Sequence, residues 1–221
     1  MAETTEKAKL NIKRIPTGPL AANSYVVWRE GSGHCVVTDP AGDGRILGFL
    51  RENGLTADAI LVTHGHFDHI LGLKALKDAT DATIYVGEYD APALTDPALC
   101  LASMIGARYK PCVPDVLLSD DDVFTEAGMT FRTLFTPGHT PGGVCYILED
   151  ERIIFSGDTL FRMSYGRSDL PGGNSAALAD SLIYRLFALK GDYRVLPGHE
   201  GETTLEFERN FNPCARSGVC E

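Results

Sequence analysis

Short apolar runs separated by glycine, proline and acidic turn residues recur along most of the chain, and their spacing predicts alternating strands and helices. Ser24 to Trp28 and Cys35 to Thr38 read as paired strands around the Gly31-Ser32-Gly33 turn, closed by Asp39-Pro40-Ala41-Gly42. Ile46 to Asn53 has helical spacing, and Gly54 ends it. Ala59 to Thr63, Ala-Ile-Leu-Val-Thr, reads as a buried strand. Ile70 to Lys77 returns to a helical pattern, with Leu71, Leu73, Ala75 and Leu76 as its apolar positions. Ala82 to Val86 reads as a strand. Residues 88–115, with several prolines and weak periodicity, read as a helix plus an irregular insertion. Thr130 to Phe135 is a further strand, and Val144 to Leu148 with Arg152 to Phe155 form a hairpin across Glu149-Asp150-Glu151. Ala176 to Leu189 reads as an amphipathic helix, with Leu178, Leu182, Ile183, Leu186 and Phe187 on one side. Tyr193 to Leu196 is the last strand.

One feature repeats within this pattern. A strand ends, and a histidine or aspartate stands in the loop just after it, at 64–69, 139, 158 and 199. Loops at one end of a rigid sheet can converge on one point although they are far apart in sequence.

The 221 residues, 44% hydrophobic and 23% charged, suit a globular protein with a large core. The expected organisation is a single domain over 9–213, with tails at 1–8 and 214–221. No apolar run approaches the roughly 18–20 residues of a membrane span. Met1 to Lys9 lacks the basic start and apolar centre of a secretory leader, so the expected location is cytoplasmic. A net charge of −10 without any Lys/Arg run argues against nucleic acid and anionic membranes as partners. The cysteines at 35, 100, 112, 145, 214 and 220 form no Cys-x-x-Cys pair and read as free thiols, with Cys145 in the core. Cys214 and Cys220 fall in the tail, within reach of oxidative cross-linking.

The candidate chemistry lies with the histidines. Of six, three fall in Thr63-His64-Gly65-His66-Phe67-Asp68-His69, and two more stand in Pro-Gly-His loops at 139 and 199. His34, in a glycine turn, reads as a surface residue. The cluster reads differently, because imidazoles and carboxylates at that density are what a borderline metal such as zinc requires. His64 and His66 can point to one side of an extended segment, whereas Asp68 and His69 arrive as the chain turns into a helix and can serve a second ion. A helical His-Glu-x-x-His motif, a Gly-x-Ser-x-Gly elbow and a phosphate-binding glycine loop are absent.

These residues resemble the metallo-β-lactamase superfamily, whose signature is His-x-His-x-Asp-His followed by three later ligands. The resemblance implies an α/β fold, a four-layer αββα sandwich. It further implies that His64, His66 and His139 hold one metal, that Asp68, His69 and His199 hold a second, and that Asp158 bridges them. The cofactor implied is two divalent ions, zinc first, with iron or manganese as alternatives. Ser156-Gly157-Asp158-Thr159-Leu160-Phe161, the Gly166 to Gly173 segment and Leu196-Pro197-Gly198-His199 are similar to the glyoxalase II-like branch, especially its short bacterial members. Asn23-Ser24-Tyr25 and Asp39-Pro40 match its opening strands. That branch implies hydrolysis of a small-molecule thioester such as S-lactoylglutathione by attack of a metal-bridging hydroxide, with Asp68 able to accept and orient the proton.

A thiolate, with a pKa near ~8.5, departs without a strong proton donor, which suits loops that hold no spare histidine. Asp39 is expected to orient a ligand histidine, the alternative being a plain turn aspartate. Arg162, Tyr165 and Arg167 follow Asp158 closely and are candidates to line the substrate pocket, the alternative being a surface ion pair with Asp169. Only Glu200 to Glu221 follow the last ligand, where longer relatives carry a helical, glutathione-gripping region. The 88–115 insertion is then a candidate for part of the substrate wall. Two other activities fit the same ligands: a mononuclear iron persulfide dioxygenase using His64, His139 and Asp158, and a lactonase. A secreted β-lactamase fits less well. The expected assembly is a monomer or homodimer.

Overall fold

The computed structural model describes residues 8–42 and 44–217. The first half of the chain builds one six-stranded sheet. Strands β1 (Leu10–Thr17), β2 (Ala22–Arg29) and β3 (His34–Thr38) run antiparallel. Helix α1 (Arg45–Glu52) then returns the chain to β4 (Thr56–Val62), parallel to β3. Helices α2 (Phe67–Ile70) and α3 (Leu73–Thr80) form the next crossover to β5 (Thr83–Gly87), and the 88–115 segment leads to β6 (Val116–Leu118), both again parallel. The order across the sheet is β1-β2-β3-β4-β5-β6.

The second half builds the other sheet. Strands β7 (Val123–Glu126), β8 (Met129–Phe135), β9 (Val144–Leu148) and β10 (Ile153–Gly157) form an antiparallel meander. A two-stranded ribbon, β11 (Leu160–Phe161) with β12 (Ser164–Tyr165), stands beside it. Helix α4 (Ser175–Asp180) runs on through a π-helical turn over Ser181–Leu186 and brings in β13 (Arg194–Pro197), parallel to β10. Strand β14 (Thr203–Thr204) and helices α5 (Leu205–Phe211) and α6 (Pro213–Ser217) complete the described chain, and the sheet order is β14-β13-β10-β9-β8-β7.

Period-two patterning sorts the side chains into three apolar layers between four structural ones. Along β4, Ile60 and Val62 face the first helical layer, while Ala59 and Leu61 face the other sheet. Along β9, Val144, Tyr146 and Leu148 point between the sheets, and Cys145 and Ile147 point to the second helical layer. Helices α1 and α3 contribute Ile46, Leu50, Leu73 and Leu76 to the first outer layer. Leu178, Leu182 and Leu186 of α4 and its π-turn fill the second. Each such buried side chain contributes roughly 1.5–3 kcal/mol. The architecture is the αββα sandwich of the metallo-β-lactamase fold.

The strongly apolar strands appear where their patterns place them. The structure adds β1, β6, β7 and the two-residue β14 at sheet edges, and the β11–β12 ribbon; these strands are short or, in β1, interrupted by Lys13, Arg14 and Pro16. Residues 88–115 contain no α-helix; two short 3₁₀ turns, Ala91–Leu94 and Ala102–Ile105, replace the expected one. Pro92, Pro97, Pro111 and Pro114 leave no stretch in which an α-helix could propagate. The expected C-terminal tail also changes. Cys214 is fully buried against the second helical layer and lies in α6, so the packed chain continues past 213. Its partner for oxidative cross-linking, Cys220, lies outside the described residues, as does most of the N-terminal segment read for a leader. Among the described residues all the cysteines are free and buried, and no helix is long and apolar enough to cross a membrane.

Candidate metal centre

Every side chain of the cluster hangs from a loop at the same end of the two sheets. The first sheet supplies His64 and His66 from the segment after β4, and Asp68 and His69 from α2. His66 sits at the N-cap of α2 in extended backbone (φ −70°, ψ 145°), so the chain is straight through His64–His66 and helical at Asp68–His69. The second sheet supplies His139 after β8, Asp158 after β10 and His199 after β13. Backbone and side-chain bonds stitch the two sheets together here. Val144 N–H donates to the Thr63 carbonyl at 2.9 Å, and Asn23 N–H donates to that of Gly198 at 2.7 Å. The Tyr25 and Tyr146 hydroxyls donate to the carbonyls of Pro197 and Val62 at 2.8 and 2.9 Å.

Potential ligand atoms of three overlapping sets, His64/His66/His139, His64/His69/Asp158 and Asp68/His69/His199, lie within 4.8 Å of one another. His66 Nδ1 is 2.9 Å from His139 Nε2, and His69 Nε2 is 3.3 Å from His199 Nε2. Asp158 stands between the sets: Oδ1 is 3.3 Å from His69 Nε2, and Oδ2 is 3.6 Å from His139 Nε2 and 3.5 Å from His199 Nε2. Asp68 Oδ2 is 3.2 Å from His199 Nε2. Glycine at 198 permits this closeness, since a Cβ there would sit 2.2 Å from Asp158 Oδ1.

Outer contacts fix the rings. His139 Nδ1 donates to the Arg167 carbonyl at 2.6 Å, which turns Nε2 inward. Asp39 accepts from His69 Nδ1 at 3.0 Å and from the Thr63 N–H and hydroxyl at 2.8 and 2.7 Å. Of five buried side-chain polar atoms left without a hydrogen bond among the described residues, two belong to the cluster, His64 Nε2 and Asp158 Oδ1. Orphaned lone pairs at the centre of such a cluster are expensive unless a cation meets them. The donor set, imidazole nitrogens with carboxylates, fits two divalent ions.

Electrostatics divide the cluster. Burial, reinforced by neighbouring histidines, holds His64 well below the ordinary imidazole range and brings His66 down to about 4. Both are therefore neutral ligands at pH 7. Burial also opposes charge on His69 and His199, but Asp158, Asp39 and Asp68 outweigh it and raise both. The same contacts keep Asp68 and Asp158 below the usual carboxylate range despite burial. The site thus gathers negative charge that protons or metal ions must balance.

A cleft of about 570 Å³ opens over His66, Asp68, His139, Asp158 and His199. Tyr165 and Arg167 line it, and Arg167 spends Nε and Nη2 on Asp169 at 2.6 and 2.7 Å. Arg162 does not line it; its guanidinium lies 5.8 Å over the Phe207 ring instead. Arg162 lies in the turn between β11 and β12, which Glu208 holds through the Met163 N–H at 2.9 Å, and that turn carries its side chain away from the cleft. The insertion supplies cleft wall through Leu101, Met104 and Ile105. His34, as expected, is exposed and lies 2.7 Å from Asp58. Sequence reasoning missed Asp90. Buried, it accepts from the N–H groups of Gly65 at 2.8 Å and Gly142 at 2.6 Å, and so ties the His64–His66 loop to the His139 loop. It too follows a strand end directly, which was the available signal.

The model of the family described as metallo-beta-lactamase superfamily matches residues 17–199. The chain belongs to the metallo-β-lactamase superfamily. Within the superfamily it is similar to the Probable metallo-hydrolase YqgX of Bacillus subtilis, 37% identical over 203 residues that cover 91% of this chain and 95% of that one. It is also similar to the Hydroxyacylglutathione hydrolase GloC of Haemophilus influenzae, 28% identical over 211 residues, with 94% and 99% covered. Among solved superfamily structures, the BLEG-1 B3 metallo-beta-lactamase is 36% identical with a TM-score of 0.86, over 93% of this chain and 99% of that one. TTHA1623, solved in a di-iron-bound form, is 36% identical with a TM-score of 0.80, over 91% and 98%. The His/Asp cluster is compatible with a dinuclear metal site of this superfamily.

Proposed function

We propose that the chain is a metal-dependent hydrolase of small-molecule acyl-glutathione thioesters, a class that includes S-lactoylglutathione. The observation that carries the hydrolase reading is the convergence of seven His and Asp side chains, with unpartnered His64 Nε2 and Asp158 Oδ1, at the floor of an open cleft. In this reading His64, His66 and His139 would hold one divalent ion and Asp68, His69 and His199 the other, with Asp158 standing between the two sets. Zinc is the first choice by donor type, and the likeness to a di-iron-bound structure keeps iron beside it. Bound there, the ions supply Lewis acidity that lowers the pKa of water and polarises a carbonyl.

The protein's own groups do the rest. His139, locked by the Arg167 carbonyl, and His69, locked by Asp39, hold their rings in one orientation. Asp68 lines the cleft as a carboxylate and can take the proton released when water adds to the acyl carbon. The thioester choice rests on the likeness to GloC and on the leaving group, since a thiolate needs no strong proton donor.

The likeness to BLEG-1 favours a second reading, opening of a β-lactam ring. One experiment separates them. Metal content is counted on purified protein, and hydrolysis is followed with acyl-glutathione thioesters, S-lactoylglutathione among them, with a β-lactam and with an acyl-homoserine lactone. Thioester turnover with two ions bound, lost together with metal in Asp158→Ala, is expected. A filled site that cleaves no thioester overturns the thioester reading. One iron per chain with oxygen uptake on glutathione persulfide overturns the hydrolase.

A further inference from the structure

The cleft above the metal cluster is built for apolar matter. Its upper walls carry Leu20, Leu101, Met104, Ile105, Phe161 and Leu170. Leu20, Met104 and Ile105 are 57%, 67% and 55% exposed, although each is a large apolar side chain. Exposed hydrophobics scattered singly need no explanation, but these share one concavity with the candidate reaction centre. Arg167 is the one lysine or arginine among the described lining residues, and its planar fork is already engaged by Asp169. Glu200 adds negative charge to the rim.

The wall is also held in place. Leu101 adopts left-handed backbone (φ 65°) with its side chain buried, and Gly106, at the far end of the turn, adopts the same φ. The Ala102–Ile105 turn between them presents Met104 and Ile105 outward. The carbonyl of Cys100 accepts from Phe67 N–H at 2.8 Å, which links this wall directly to the segment carrying Asp68 and His69. Met104 and Ile105 thus stand on a turn whose base, at Leu101 and Cys100, is packed and tied to the metal-cluster segment.

We propose that the preferred substrates carry an apolar acyl group, which packs against Met104, Ile105 and Leu20, rather than a short hydroxylated one such as lactoyl. This rests on the thioester reading for its chemistry, while the apolar seat itself follows from the wall. Each methylene withdrawn from water contributes roughly fourfold in affinity. Over a chain of several carbons, partial burial gives at least ~10-fold.

The test holds the thiol constant. With the metal-loaded protein, kcat/KM is measured for S-lactoyl-, S-acetyl- and S-hexanoylglutathione. Hexanoyl is expected to exceed lactoyl by about tenfold or more, and the charge-neutral Met104→Ala with Ile105→Ala to lower the hexanoyl-to-acetyl ratio of kcat/KM by about tenfold. Both positions are exposed, so the double variant folds; circular dichroism and metal content check this. Lactoyl turnover equal to or above hexanoyl, or a double variant that slows both equally, overturns the proposal. A parallel binding measurement uses thioethers, which cannot be hydrolysed. S-hexylglutathione is expected to bind about tenfold tighter than S-methylglutathione, and to lose that margin in the double variant. If no thioester turns over, the proposed reaction falls and this measurement still decides the apolar seat: equal binding of the two thioethers rejects it, and the tenfold margin upholds it.

Discussion

Asp39 concentrates more of the site's geometry than any residue that touches the cleft. One carboxylate takes the Nδ1 proton of His69 and both donors of Thr63, the residue at the root of the His64–His66 loop. Replacing it by alanine frees the His69 ring to rotate and leaves a buried N–H and hydroxyl unmet. Asp39→Ala is expected to weaken metal binding by about 10–100-fold, and to lower stability by about 1–3 kcal/mol. Competition with a chelator reads the first and urea unfolding the second. Metal affinity unchanged in this variant would show that His69 needs no anchor. Asp39 was legible through the match of Asp39-Pro40 to the opening strands of the glyoxalase II-like branch, with a plain turn aspartate as the alternative. Arg162 was misread because nearness to Asp158 in sequence says nothing about which way a side chain points in the turn between two short strands.

At the scale of elements, patterning located what is buried on both faces and missed what lies at the margins. Strand β9, and strand β4 from Ala59 onward, alternate between two apolar layers, so these stretches are hydrophobic throughout and their reading is unambiguous. Strand β1, with Lys13 and Arg14 in mid-strand, depends on pairing with β2 that no local window reveals. Helix α6 is held by tertiary contact of one buried cysteine, a signal too small to stand out in sequence. The junction of α4 with the His139 loop is a more exacting contact. Gly138 has φ 133°, and a Cβ there would lie 2.3 Å from the Leu178 backbone nitrogen. Gly138→Ala is therefore expected to push α4 off the loop, costing about 1–3 kcal/mol, and to loosen metal binding through His139. Gly48, inside α1 with nothing within 4 Å of its Cβ, is the control. There alanine is expected to stabilise the fold by about 0.5–1 kcal/mol and leave metal binding unchanged. Thermal unfolding of the two variants, with and without metal, separates the cases. Equal behaviour would mean that the α4 junction does not constrain the site.

Across the whole molecule, the buried thiols set a limit at alkaline pH. Burial pushes Cys145 up to about 11 and Cys35 up to about 12. The unfolded chain releases these protons near pH ~8.5 while the folded chain keeps them, so the folded state binds more protons over that interval and stability falls as pH rises. Between pH ~8 and ~10 the loss is on the order of 2 kcal/mol per thiol. Urea midpoints across that range should decline, and Cys145→Ala should flatten the decline. A flat wild-type profile would contradict it. Below pH ~8 neither thiol contributes to the slope, and alkylating reagents are expected to modify them only on unfolding.

The division of the cluster between the two sheets has a consequence for cohesion. One sheet brings His64, His66, Asp68 and His69, and the other brings His139, Asp158 and His199, so neither half of the chain can grip an ion alone. A cation seated there works as a clasp between two leaves. The free energy with which it is held is also free energy holding the leaves shut. Removing it would act as a mild denaturant applied at one end of the sandwich, and whatever pries the leaves apart would shed the ion.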